Sequence, residues 1–300
     1  FNITAGSAGD DGAGSNILVD TERGASDCIF SDTTGAEVNI NTITTQFYTD
    51  GFESGSWINS GGTAQDYASW TFRKAEKFFD VVEFEAPASA SDNFRVSHNL
   101  GSVPACIIVK SVDVTGDWYV YHSSLETPRN DSLKLNTTAA SAASGDFWGE
   151  ANPTTTDFGV QVRNFGTRPV TTSAGTYIAY LFASDAGGFG DDEDENIIKC
   201  GSFTGIGQTN LGFEPQFLLY KPRSQTANWE LADNMRRLDG VSSSVLKLEP
   251  NSDAAEAGGS EIKINATGFY NGTFGSSYPC IYIAIRMSMK TPTAGTEVFS

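Results

Sequence analysis

His98 and His122 are the two histidines of this 300-residue chain, and they are its candidates for the general base of a nucleophile triad. A triad also needs a presented serine or cysteine, and no G-x-S-x-G turn supplies one. No Walker-type loop points to a nucleotide. His98, just before Asn99-Leu100-Gly101, reads as a surface loop residue rather than a base. The 37 Asp and Glu residues could hold the paired carboxylates of glycoside hydrolysis, yet no spacing singles out a pair. Their densest run, Asp191-Asp192-Glu193-Asp194-Glu195, lacks the spacing of an EF-hand loop and reads as a solvated, self-repelling linker. The Gly-flanked Asp10-Asp11-Gly12 reads as a flexible loop in the same way. Cys28, Cys106, Cys200 and Cys280 form no C-x-x-C pair, and the apolar runs beside Cys106 and Cys280 mark small buried hydrophobes. The expectation from these residues is no catalytic group, no metal and no cofactor.

Composition narrows the partners. Lys and Arg number 19 against those 37 acids, a net charge of −18, which is unsuited to nucleic acid because a phosphate footprint needs clustered cations. The longest apolar runs, such as Ile281-Tyr282-Ile283-Ala284-Ile285, are of strand length, so membrane insertion is not expected. Aromatic residues make up 12% of the chain, far too many for a disordered acidic polymer. The sequence opens at Phe1, which reads as a processed product or a piece of a longer chain.

Internal repetition is the strongest organising signal. Asn99-Leu100-Gly101-x-x-Pro104 recurs as Asn210-Leu211-Gly212-x-x-Pro215, each followed by an apolar run ending in lysine, Lys110 and Lys221. Trp118 answers Trp229 at the same offset of 111, and at that offset His98 meets Thr209 and His122 meets Asp233. A second element occurs three times, as Tyr67–Phe72, Tyr177–Phe182 and Tyr282–Met287. Further upstream, Asp20-Thr21-Glu22-Arg23 resembles Asp233-Asn234-Met235-Arg236, and Asp32-Thr33-Thr34 resembles Asn136-Thr137-Thr138. The chain therefore divides into the back half of a first unit at 1–72, full units at 78–187 and 195–290, and an extended tail at 291–300. A half unit cannot close its own core; its front half is either absent from this segment or supplied by a neighbouring chain, and the first is preferred.

Stretches such as Ala105–Lys110, Trp118–His122, Phe217–Lys221 and Ile281–Ile285 are short and rich in β-branched and aromatic residues, with Gly, Asn, Asp and Ser between them. No long helical periodicity competes, and the pattern leaves room for short helical turns only around Leu231–Arg237 and Ala139–Ser144. The expected fold is all-β: tandem antiparallel β-sandwich repeats of about 110 residues, jelly-roll or lectin-like. Trp118, Trp229, Phe158 and Phe269 read as core anchors, with a sugar-stacking platform as the alternative.

With these motifs in view, the chain resembles a family of tail-fibre or tail-associated virion proteins of marine tailed bacteriophages. The resemblance rests on Tyr67-Ala68-Ser69-Trp70-Thr71-Phe72-Arg73-Lys74-Ala75, Lys77-Phe78-Phe79-Asp80-Val81-Val82, His98–Pro104, Tyr177–Phe182, Asn210–Gln216, Tyr282–Arg286 and Met289–Phe299. It implies a non-enzymatic virion appendage on the particle surface, contacting other virion proteins and forming a homo-oligomer, a trimer first. A host-surface adhesin for envelope polysaccharide ranks ahead of a purely structural decoration or connector, and a tailspike-type depolymerase ranks last. Ligand contacts are expected in loops that differ between units, at Asp113 and Asp117 in one and Arg223 and Asn228 in the other.

Overall fold

The computed structural model describes residues 2–6, 15–56, 67–87, 94–143, 148–161, 175–190, 192–236, 238, 245–260, 262–272 and 278–286. Asp10-Asp11-Gly12, Asp191 and the 291–300 tail lie outside them. The first unit contains β1 (Asn2–Gly6), β2 (Ile17–Asp20), β3 (Gly24–Phe30), β4 (Val38–Asn39), β5 (Thr44–Phe47), β6 (Phe52–Ser54) and β7 (Tyr67–Thr71). The second contains β8 (Phe79–Ala86), β9 (Phe94–Ser97), β10 (Cys106–Ser111), β11 (Tyr119–His122), β12 (Asp131–Lys134), β13 (Ala142–Ala143), β14 (Asp157–Val160) and β15 (Gly175–Phe182). The third contains β16 (Ile198–Phe203), β17 (Gly207–Asn210), β18 (Phe217–Pro222), β19 (Glu230–Asp233), β20 (Val245–Lys247), β21 (Ala257–Ser260), β22 (Ile262–Asn265), β23 (Gly268–Asn271) and β24 (Cys280–Ile285).

These strands build three main antiparallel sheets, ordered β4-β3-β2-β1-β7, β13-β12-β11-β10-β15-β8 and β16-β24-β18-β19. A Leu231–Leu248 bridge extends the third sheet toward the β20–β21 pair. A smaller sheet belongs to each unit: β5-β6, β14-β9 and β17-β23-β22. The all-β sandwich architecture is as the sequence predicts. Of the two short helical turns, that around Leu231–Arg237 is present as a 3-10 turn at Asn234–Arg236, after a strand that runs through Leu231–Asp233, whereas in the other segment Ala142 and Ala143 are strand.

The apolar runs are continuous because each main sheet is covered on both faces. In β24, Ile281, Ile283 and Ile285 belong to the largest core, whereas Cys280, Tyr282 and Ala284 pack under the third unit's small sheet with Phe269 of β23 and Ile262 of β22. The same alternation puts Leu18 and Ile29 in the large core and Ile17, Val19 and Cys28 in a separate cluster with Phe47 of β5. The large core draws on all three units, with Phe72 lying 6.3 Å from Phe182 and 5.5 Å from Phe217, centroid to centroid. The three sheets therefore enclose one shared interior, each carrying its own outer layer. The first unit closes through that interior and its β5–β6 hairpin.

Strand register fixes which positions correspond. Trp70 pairs with Ile3 and Ile3 with Leu18. Tyr180 pairs with Ile108 and Ile108 with Val120. Ile283 pairs with Leu219 and Leu219 with Leu231. Trp70, Tyr180 and Ile283 are thus equivalent, which moves the third copy of the Tyr67–Phe72 element two residues back from Tyr282–Met287. A slip of two preserves the in-out alternation of a strand, so side-chain pattern alone does not detect it.

Candidate functional site

Asp20, His122 and Asp233 end the second strand of their sheets in register, and all three are buried. Each first secures its own turn. Asp20 Oδ1 accepts from the Glu22 and Arg23 amides, both at 3.1 Å; Asp233 Oδ1 accepts from Met235 at 3.0 Å and Arg236 at 3.1 Å; His122 Nδ1 accepts from Ser124 at 3.1 Å. A short acceptor that catches the amide two residues ahead is a local device, and it explains the recurrence of Asp-x-x-Arg.

The second polar atom of each residue crosses to another unit. Tyr180 Oη donates to Asp20 Oδ2 at 2.8 Å, and Trp70 Nε1 donates to Asp233 Oδ2 at 2.9 Å. With Nδ1 accepting, His122 carries its proton on Nε2, which donates to the Tyr282 carbonyl at 3.1 Å. Here the position equivalent to Tyr180 and Trp70 is Ile283, which offers no polar atom, so histidine reaches the adjacent backbone. First unit to second, second to third and third to first, the contacts form a closed ring. Arg23 adds ion pairs to Asp20 and Glu37, and the Arg236 guanidinium sits 4.7 Å from the Trp70 ring centre. Burial pushes His122 down to about pKa 4, so it is neutral at pH 7 with both nitrogens occupied.

The repeated tryptophans and lysines have the same seam-forming role. Trp118 Nε1 donates to the Phe30 carbonyl at 3.0 Å, Trp229 Nε1 to Lys134 at 2.9 Å, and the equivalent Asn16 Nδ2 to Glu249 at 3.2 Å. Lys110 Nζ donates to Ser111 O at 2.8 Å and, across the seam, to Thr34 O at 3.5 Å. Lys221 Nζ repeats this with Ala227 O at 2.6 Å and Thr138 O at 3.1 Å. Burial lowers both lysines to about pKa 8. Trp118, Trp229, Phe158 and Phe269 are core residues, with no face open to stack on a sugar.

The loop residues expected to contact a ligand also have internal partners and lie in two separate loops. Asp113 Oδ2 accepts from the Thr176 amide at 2.5 Å. Asp117 pairs with Lys134 at 2.6 Å and accepts from Asn136 at 2.9 Å. At the equivalent position Asn228 donates to Glu249 at 2.6 Å and accepts from Asn251 at 2.9 Å. Arg223 Nη1 donates to Ser124 O at 2.9 Å, joining the third unit to the second. Sequence comparison missed the third member of the Asp32/Asn136 set, Asn251. It accepts from the Trp229 amide at 2.7 Å just as Asn136 accepts from Trp118 at 3.0 Å and Asp32 from Asn16 at 3.2 Å. Inserted residues move Asn251 off the constant offset.

His98 is buried, which corrects its reading as a surface residue. Its Nδ1 accepts from the Leu100 amide at 3.2 Å and its Nε2 donates to Thr154 O at 3.3 Å, so it braces the turn before β10. All four cysteines are free and buried, and Asp192–Glu195 are exposed. Among the described residues no group of three His, Cys, Asp or Glu side chains could hold a metal.

Two surface depressions stand apart from these seams. A groove of about 900 Å³ runs between the β5–β6 hairpin and the end of β7, lined by Phe47, Tyr48, Phe52, Thr71, Arg73 and Val81. A cleft of about 430 Å³ on the second unit is lined by Val103, Tyr121, Arg129, Asn130, Asn152 and Pro153. The cleft combines amide and guanidinium groups with apolar walls, and Arg129 Nη1 within it donates to the Glu150 carbonyl. No curated protein and no solved structure matches the chain. One family profile matches residues 8–277, a span that crosses all three sheets, and the chain belongs to that family, described as a domain of unknown function, DUF7483.

Proposed function

We propose that this protein is a non-enzymatic bacteriophage virion appendage, tail-fibre-like, that serves as a rigid spacer and an adhesin for host envelope polysaccharide. The observation that carries the binding role is the cleft of Arg129, Asn130 and Asn152 between Val103 and Pro153. Amide and guanidinium donors beside apolar surface suit sugar hydroxyls over a sugar's C–H face. Asp20, His122, Asp233, Lys110 and Lys221 are engaged in tying sheets together, which supports a scaffold over a catalyst. Sequence resemblance supports the virion location, contact with other virion proteins and a homo-oligomer, a trimer first; repeated weak sites would then gain avidity.

The test is retention of labelled protein on envelope extracts from candidate hosts, with the supernatant assayed for released sugar. Retention without release is expected, weakened at least about tenfold, a loss of roughly 1.4 kcal/mol, by Arg129→Ala combined with Asn152→Ala. Sugar release would replace this reading with a depolymerase. No retention on any host would leave a structural decoration or connector.

A further inference from the structure

Arg73 follows the end of β7 and reaches the β5–β6 hairpin opposite, where its Nη2 donates to the Thr49 carbonyl. Both residues line the groove of about 900 Å³, so the guanidinium joins one wall to the other. Among the described residues it has no carboxylate partner, and it is exposed. Its neighbours in sequence and in symmetry differ on this point. Lys74, also in the groove, is paired with Glu22 at 2.9 Å and with Asp80 at 3.1 Å. Arg286, which lies three residues after Ile283 as Arg73 lies three after Trp70, holds the carboxylate of Glu195. In the first unit the equivalent arginine keeps most of its five N–H donors turned to solvent.

The hairpin supplies two complementary groups. The Tyr48 amide donates to the Gly51 carbonyl at 2.8 Å, which places Thr49 and Asp50 at the tip. Phe47 packs toward Ile17, Val19 and Cys28. The Tyr48 ring instead remains 51% exposed in the groove, and its hydroxyl is pinned by donating to Glu53 Oε2 at 3.0 Å. Asp50 also lines the groove, exposed, and has no hydrogen-bond or ion-pair partner among the described residues. A guanidinium, a carboxylate and a fixed aromatic ring thus border one depression, and the two charges are not spent on each other. The volume falls in the range of about 300–1,000 Å³ usual for ligand sites.

We propose that this groove binds a uronic acid unit of an acidic polysaccharide, with Arg73 on the sugar carboxylate, Asp50 on its hydroxyls and Tyr48 against its C–H face. A planar guanidinium matches a carboxylate through two parallel N–H···O bonds, as the equivalent Arg286 takes Glu195. An ionised carboxylate only accepts, so Asp50 suits hydroxyl protons and repels a second acid placed there. Tyrosine offers rigid apolar area at small entropic cost. A neutral sugar lacks the group that Arg73 prefers, and inorganic phosphate lacks the apolar face that Tyr48 would cover. The groove shares no residue with the Arg129–Asn152 cleft, so it adds a second, acid-selective site to the one proposed above.

The test titrates methyl glucuronide and methyl glucoside, and the corresponding galactose pair, into the full chain while amide shifts are followed by NMR. Within each pair the sugars differ only at C6, carboxylate against hydroxymethyl. At least one uronide is expected to move the Tyr48, Gly51 and Arg73 amides and to bind about tenfold or more tightly than its neutral counterpart. Arg73→Gln is expected to remove that preference and Asp50→Asn to weaken both members of the pair, with the β8–β15 amides unmoved in either variant. Equal affinities within both pairs, or groove amides that do not move, would overturn the proposal. Acetate that moves the same amides with the uronide's affinity would overturn it too, since the sugar would then contribute nothing. Shifts confined to the cleft of Arg129 and Asn152 would remove the groove site and leave the adhesin role of the cleft in place.

Discussion

At the scale of single residues, His122 stands where the other two units place aspartate, and this makes it a source of pH sensitivity. Folded, it is held neutral to about pH 4 by burial; unfolded, it takes a proton near pH 6.5. Between those values the unfolded state binds more protons, so stability is full above about pH 6.5 and falls as pH drops toward 4, by up to about 1.4 kcal/mol per pH unit. His122→Asn retains an acceptor for the Ser124 amide and cannot titrate. Urea unfolding across pH 4 to 6.5 is expected to show a flatter dependence in the variant by about one proton. An identical slope in both proteins would remove His122 from the account. The pairing of Asp20 with Asp233 was legible in sequence because an Asx turn uses only the next few residues. Their partners Tyr180 and Trp70 were not, because nothing local states which sheet abuts which.

At the scale of elements, the strands were legible from apolar runs and turn residues, and their double-sided burial explains why those runs do not alternate with polar residues. Close approach of backbones is harder to read. A Cβ on Gly268, at the turn into β23, would lie 2.0 Å from the Thr209 carbonyl, while one on Gly116 would meet nothing within 4 Å. Gly268→Ala is therefore expected to cost about 2–4 kcal/mol by urea unfolding and Gly116→Ala under about 0.5 kcal/mol. Comparable losses would show that β23 can shift away from β17. The two-residue slip in the third strand copy belongs to this scale as well. Only hydrogen-bonded register distinguishes Ile283 from Ile285 as the partner of Leu219.

At the scale of the molecule, the repeats are not beads on a string. Phe217, Leu219, Leu231 and the three isoleucines of β24 turn their side chains into an interior shared with Leu18, Phe72 and Phe182. The void of about 20 Å³ at that centre, apolar and too small for a ligand, marks it as packed core. Heat unfolding is therefore expected to be a single transition with equal calorimetric and van't Hoff enthalpies. Residues 195–290 expressed alone should expose that inner face and bind a hydrophobic dye. A folded, dye-silent fragment with its own transition would show that the third unit is autonomous.

The sequence by itself determined the class of structure, the existence of repeats, the strand cores and the local turn devices, because each depends on residues near one another in the chain or on a two-residue alternation. Tertiary structure decided that three sheets share one interior, that the repeated Trp, Lys and Asp/His positions join sheet to sheet, and that His98 is buried. Those outcomes depend on which surfaces meet across more than a hundred residues of chain, where a hydrogen bond such as Asn16 to Glu249 leaves no mark in the spacing of either partner.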